Sequence, residues 1–187
     1  MTPTPAFSPV NPHSLSLPIR LLAVAFGTVL LAISSRIEVP MVPVPVTMQT
    51  FTVAMIGALY GWRLGTLTVL AWLGQAALGL PVLAGGAGGL AHFAGPTGGY
   101  LVAFAVMATQ IGWLAERGWN GDRAGLAFLS MLAGNLICLA MGAAWLSRGI
   151  GWDAAITHGV TPFLVGTVLK SAVGALALRQ LGRPRRA

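Results

Sequence analysis

One lysine in this chain sits where a charge is expensive. Lys170 lies inside a long apolar run, residues 159–181, and a cation near the middle of a bilayer costs at least about 2.5 kcal/mol unless it faces a cavity or a partner. A long stem can snorkel to the interface, but from residue 159 to Lys170 a helix rises roughly 16 Å, too deep for easy escape. Lys170 therefore reads as a binding residue. Gly166 and Gly174 stand one turn to either side and strip that face of bulk, which suits the approach of a flat ligand or the packing of a neighbouring helix. Thr167 shares the face and offers a hydroxyl, although a lone threonine commonly bonds its own helix backbone.

Further polar side chains at membrane depth are Gln75, Gln110 and Asn135, each suited to bridging helices. Gln49 follows a proline-rich stretch and can both donate to and accept from a polar ring. Trp72 and Tyr100 can stack on such a ring or serve as packing and interface anchors. Catalysis finds little support. The acids Glu38, Glu116, Asp122 and Asp153 fall in expected loops, and His13, His92 and His158 form no ligand-spaced pair. Cys138 has no partner cysteine and reads as a small apolar helix residue. Nothing in the sequence requires a cofactor or a metal.

The elements that position these residues follow from composition. Of 187 residues 56% are hydrophobic and 8% charged, against about 25% charged in soluble domains. Runs of about 20 apolar residues, enough to cross a bilayer, predict helices near 19–36, 48–61, 63–80, 98–115, 124–147 and 159–181. Gly57, Gly61 and Gly65 predict a tight hairpin between the second and third. The expected fold is an all-α integral membrane protein, a compact bundle of about six transmembrane helices spanning residues 19–181. A flexible proline-rich tail, 1–18, precedes it and a basic cytoplasmic tail, 182–187, follows.

With both ends cytoplasmic, Arg20, Arg63, Arg117, Arg123, Arg179, Arg183, Arg185 and Arg186 fall inside and only Arg36 and Arg148 outside, obeying the positive-inside bias. The net charge of +7 thus reads as orientation beside anionic headgroups rather than as nucleic-acid binding. Two of the three outer connections are unusual. In EVPMVPVPVTMQ, residues 38–49, alternating prolines block a helix and favour a stiff extended lid or plug. In PVLAGGAGGLAHFAGPTGG, residues 81–99, glycines such as Gly85 and Gly86 permit unusual backbone angles and close approach to a ligand.

Three segments in register, PVPVTMQTF at 43–51, GLPVLAGGAGG at 79–89 and GPTGGYL at 95–101, resemble the BioY biotin transporters, over about residues 19–181. The resemblance implies a six-helix substrate-capture component of an energy-coupling factor transporter in the cytoplasmic membrane, binding biotin near the outer face. Implied partners are a transmembrane coupling protein and two cytoplasmic ATPases; some members are thought to work without them, as homo-oligomers. The family pattern G-D-x-x-K in the last helix is met here by GTVLK, Gly166 to Lys170. Thr167 replaces the acid, removing an acceptor for the ureido N–H groups and a counter-charge for Lys170. The family's docking of the first helix through small residues four apart is matched by Ala23 and Gly27, a common pairing in any membrane helix.

Biotin, with an apolar bicycle, a polar ureido edge and a carboxylate tail, demands a mostly apolar pocket with a few placed hydrogen-bond partners. The expected pose sets the ring system between the outer halves of the third, fourth and sixth helices, with Lys170 on either the ureido oxygen or the carboxylate. Expected substrate-binding residues are Lys170, Thr167, Gln49, Trp72, Tyr100, Gly85 and Gly86. The alternatives are a component for another small vitamin, a membrane-embedded enzyme on lipid using Lys170 with His92 or His158, and a structural helix-packing subunit.

Overall fold

The protein is described by a computed structural model covering residues 16–182. The expected tail over 1–18 and the basic tail over 182–187 therefore fall almost wholly outside the described residues. Among the described residues five helical segments are long and apolar enough to cross a membrane. The first, α1 (Leu17–Arg36), starts with Pro18 in its first turn, where the missing N–H costs no helical bond. Gly27, Leu31 and Ser34–Ser35 are buried on one face, while Leu22, Phe26, Val29 and Ile33 on the other are all more than half exposed. Between Arg20 and Arg36 neither face carries a charge, which suits an outward face that meets lipid rather than water.

After α1 the chain forms a two-residue antiparallel ladder, β1 (Glu38–Val39) with β2 (Val46–Thr47), in which Glu38 pairs with Thr47 and Val39 with Val46. The prolines expected to exclude helix do so. Helix α2 (Gln49–Ala77) then breaks at Gly61, whose φ of 73° and ψ of 175° are non-helical and in a left-handed range that side-chain-bearing residues avoid. Eight residues apart, Gly57 and Gly65 would be about 12 Å distant in a straight helix. Instead a methyl group on Gly65 would stand 3.2 Å from the Gly57 Cα, so the two halves fold back on each other. The freed N–H of Trp62 donates to Glu116 Oε1 at 3.1 Å. The second and third expected spans are thus the two halves of α2, joined in the hairpin that the glycines predict.

A short helix, α3 (Ala91–Ala94), leads into α4 (Gly98–Ala115), and α5 (Ala124–Ile150) returns. Positive φ at Gly151 (81°) ends α5; a short α6 (Trp152–Gly159) and a single turn at Thr161–Phe163 precede α7 (Leu164–Gly182). The expected connection at 148–158 is therefore largely helical, and the last span begins at residue 164 rather than 159. Helix α4 packs between α2 and α5, and α5 in turn carries α6 and α7.

Lipid tails are as apolar as leucine, so burial alone does not hold such helices together; close van der Waals packing at small residues does. Trp72, Met107, Ile111, Met131 and Leu178 fill the centre and are almost wholly buried. A methyl group at Gly142 on α5 would overlap the ring of Tyr100 on α4, so this glycine lets that ring lie flat against α5.

Candidate functional site

Helix direction brings several segments to one end of the bundle, the lid end: the end of α1, the β-ladder, the loop 81–90, α3, the start of α4, the end of α5 and the start of α7. The loop is tied down there by α1 and β1. Ser35 Oγ donates to the Leu83 carbonyl at 3.2 Å, the Arg36 guanidinium to the Pro81 carbonyl at 2.8 Å, and the Gly85 N–H to Glu38 Oε2 at 3.2 Å. At the base of α5 and α6 the Trp145 indole N–H donates to the Gly95 carbonyl at 2.9 Å.

Under this roof lies a cavity of about 190 Å³. Its apolar walls come from Val44, Leu83, Leu101, Phe104, Leu139 and Phe163, and its polar groups from Thr47, Gln49, Thr50, Asn135, Thr167 and Lys170. Tyr100 and Cys138 also face it, as do His92 and Thr97. No aspartate or glutamate is among the lining residues.

Each polar group is fixed by an element of the fold. Lys170, two turns into α7, donates to the Thr47 carbonyl of β2 and to Thr50 Oγ1 at 3.2 Å. Its charge is thus satisfied by the proline-rich segment and the first turn of α2. Gln49, 4% exposed, accepts at Oε1 from Thr47 Oγ1 at 3.1 Å, while its Nε2 is buried and has no hydrogen-bond partner. An unmade bond at a buried amide costs about 1–3 kcal/mol, and a ligand acceptor would remove that cost. Asn135 donates from Nδ2 to the Met131 carbonyl at 2.9 Å and to Ser171 Oγ at 3.4 Å, which holds α5 to α7 and orients the amide. The Tyr100 hydroxyl donates to the Gly159 carbonyl at 2.7 Å, and its ring stacks on Phe163 with centroids 6.4 Å apart.

The sequence-predicted residues separate into two groups. Lys170, Thr167, Gln49 and Tyr100 meet at the cavity. Trp72, Gly85 and Gly86 do not line it. Trp72 is fully buried behind Phe104, their centroids 6.1 Å apart, and donates to the Val82 carbonyl at 3.2 Å; it supports a wall rather than forming one. Gly85 and Gly86 lie on the roof, against Glu38 and Arg36 respectively, and Ala84 and Ala87 on either side are the ones that face inward. The expected wall from the third helix is also corrected. The second half of α2 contributes no lining residue, because α4 stands between, and α5 supplies that wall.

Ala23 and Gly27 are turned toward α2. The Ala23 carbonyl accepts from the Tyr60 hydroxyl at 3.1 Å, and Gly27 is buried against Thr68 and Tyr60, so this small-residue pair packs the chain's own bundle. Gln75 and Gln110 act as helix bridges, donating to Thr28 Oγ1 at 3.3 Å and to the Ser130 carbonyl at 3.4 Å. Most lining residues lay outside the expected set, Asn135, Cys138 and His92 among them. Asn135 had a signal, a polar amide at membrane depth; Cys138 and His92 had none beyond their residue type.

A profile described as the BioY family matches residues 10–187 of the chain. The chain is 38% identical over 158 residues to a probable biotin transporter BioY of Pyrococcus horikoshii, covering 84% of this chain and 93% of that protein. It is also 38% identical over 165 residues to a biotin transporter BioY of Rhizobium etli, covering 83% and 88% respectively. Among solved structures it is similar to the S-component for biotin from an ECF-type ABC transporter, with a TM-score of 0.77 and 30% identity over 90% of this chain and 94% of the other.

Proposed function

The chain belongs to the BioY family, and we propose that it captures biotin in the lid-end cavity and carries it across the membrane as the substrate-binding component of an energy-coupling factor transporter. It is a transport component rather than an enzyme. One observation carries the reading: an apolar cavity whose polar groups, Lys170, Gln49 and Asn135, converge at its deep end. A compact bicycle with one polar edge fits that arrangement.

In this reading the ureido edge sits deep. Lys170, or the unpartnered Nε2 of Gln49, donates to the ureido oxygen. With Thr167 at the position of the family's acid, the N–H groups turn to neutral acceptors, Asn135 Oδ1 and Thr167 Oγ1, both at the cavity. The membrane is the cytoplasmic one, with both chain ends inside and the lid end outward, supported by the eight arginines that this orientation places on the inner side. The partners are a transmembrane coupling protein with two ATPases, or further copies of the chain. Because Ala23 and Gly27 are occupied by α2, the exposed ridge of Leu22, Phe26, Val29 and Ile33 on α1 is the better candidate for the docking surface.

Thr167 favours one second reading, a different small vitamin as cargo. Retention of labelled biotin by the purified protein, challenged with an excess of each of several unlabelled vitamins, decides between them. Displacement by biotin alone supports the proposal. Stronger displacement by another vitamin overturns it.

A further inference from the structure

Two ends of the cavity carry polar groups, and only the deep end is accounted for by the ureido ring. Down α4 the lining runs from Thr97, just before its first residue, to Phe104, and down α7 from Phe163, likewise just before it, to Lys170, a depth of about 10 Å in each. The deep end holds Lys170, Asn135 and Gln49. The mouth holds His92 and Thr97 beside Phe163, with Leu101 and Leu139 between the two ends.

Resting on the biotin reading above, we propose that His92 is the residue that recognises the free carboxylate at the end of the ligand's flexible apolar tail, with the Thr97 hydroxyl as a second donor. The cavity then selects its ligand by an acid group at the mouth as well as by hydrogen bonds at depth. His92 sits on the four-residue α3, exposed on one side and lining the cavity on the other. Its imidazole makes no hydrogen bond or ion pair among the described residues, whereas the two charged side chains on the roof beside it are engaged. Arg36 is on the Pro81 carbonyl and Glu38 on the Gly85 N–H, and neither lines the cavity.

Lys170 is the other cation at the cavity, but it is two turns deeper and already donates to Thr47 and Thr50. The Tyr100 hydroxyl is committed to Gly159. His92 is thus the ionisable donor left open at the mouth. It suits an anion in either protonation state, since neutral imidazole keeps one N–H and imidazolium has two. No acidic side chain lines the cavity to repel the carboxylate.

Calorimetric titration of the wild-type chain, His92→Ala and His92→Gln with biotin and with biotin methyl ester tests this. The ester keeps the ring and tail and lacks the charge. For His92→Ala the expected result is a loss of about tenfold or more in biotin affinity, the scale of one charge-assisted hydrogen bond, with ester affinity unchanged. His92→Gln, which retains an N–H donor, is expected to recover part of the loss. Equal weakening of acid and ester, or no weakening of either, overturns the assignment to His92. Failure of the folded wild-type chain to bind acid or ester is a separate result that overturns the biotin reading and this inference with it.

Discussion

The ammonium of Lys170 on α7 donates to the backbone carbonyl of Thr47, 123 residues away in sequence. A single side chain thereby ties the proline-rich lid to the far wall of the cavity. The ammonium has three N–H donors and two are used here, so one is left for a ligand while the lid stays tied.

Replacing Lys170 by methionine keeps the length of the stem and removes the charge. Biotin affinity is expected to fall by roughly 10- to 100-fold, the range of a lost hydrogen bond from a charged donor at about 1.5–3 kcal/mol. Calorimetry on a sample shown to be folded by its thermal transition checks this. Unchanged affinity removes Lys170 from the ligand.

Thr167→Asp restores a carboxylate three residues before Lys170. It supplies an acceptor for two ureido N–H groups and a counter-charge on the same helix face. Tighter binding by about tenfold is the expected outcome, on the scale of one charge-assisted bond. Weaker binding would mean that this cavity has been rebuilt around a neutral acceptor, and that Asn135 rather than residue 167 carries the N–H contacts.

Gly142→Ala places a methyl group in the ring of Tyr100, while Gly125→Ala on the same helix meets nothing within 4 Å. The first substitution is expected to cost about 1–3 kcal/mol as overpacking and to weaken biotin binding by pushing the ring into the cavity. The second leaves biotin binding unchanged and does not lower stability, since alanine for glycine at an uncrowded helical position is neutral to stabilising. Paired thermal melts and titrations distinguish them, and equal behaviour of the two variants would contradict the packing described.

Gly61→Ala forces a side chain into a left-handed backbone angle beside the Glu116 carboxylate. A destabilisation of at least about 1 kcal/mol is expected, read as a lowered melting temperature, with biotin affinity of the folded fraction unchanged because the hairpin turn lies at the opposite end from the cavity. A loss of affinity without a loss of stability would contradict that separation.

Much of this architecture was legible in the chain because hydropathy and glycine punctuation act locally. Residues 98–115 read as a helix and are one; Gly57, Gly61 and Gly65 read as a hairpin and form it. Helices α3 and α6 were missed because four and eight residues are too short to stand out from a loop in a hydropathy profile. Within the site, Lys170 was legible since an isolated cation at membrane depth needs a reason.

Side-chain direction was not legible. Trp72 and Tyr100 are both membrane aromatics, and only the packing of α4 against the second half of α2 turns Trp72 behind Phe104 while Tyr100 faces the cavity. Likewise Ala23 and Gly27 have the spacing of a docking stripe, and whether that stripe meets a partner or α2 depends on the rotation of α1. His92 carries no local signal at all, because its place at the mouth is set by α3 rather than by its neighbours in sequence.

The central claim is that this cavity holds biotin. Calorimetric titration of biotin into the purified chain, with no other subunit present, addresses it most directly. The account predicts saturable, tight binding of one biotin per chain, abolished by competition for the same site and weakened by Lys170→Met. A folded, monodisperse sample that takes up no biotin would contradict it.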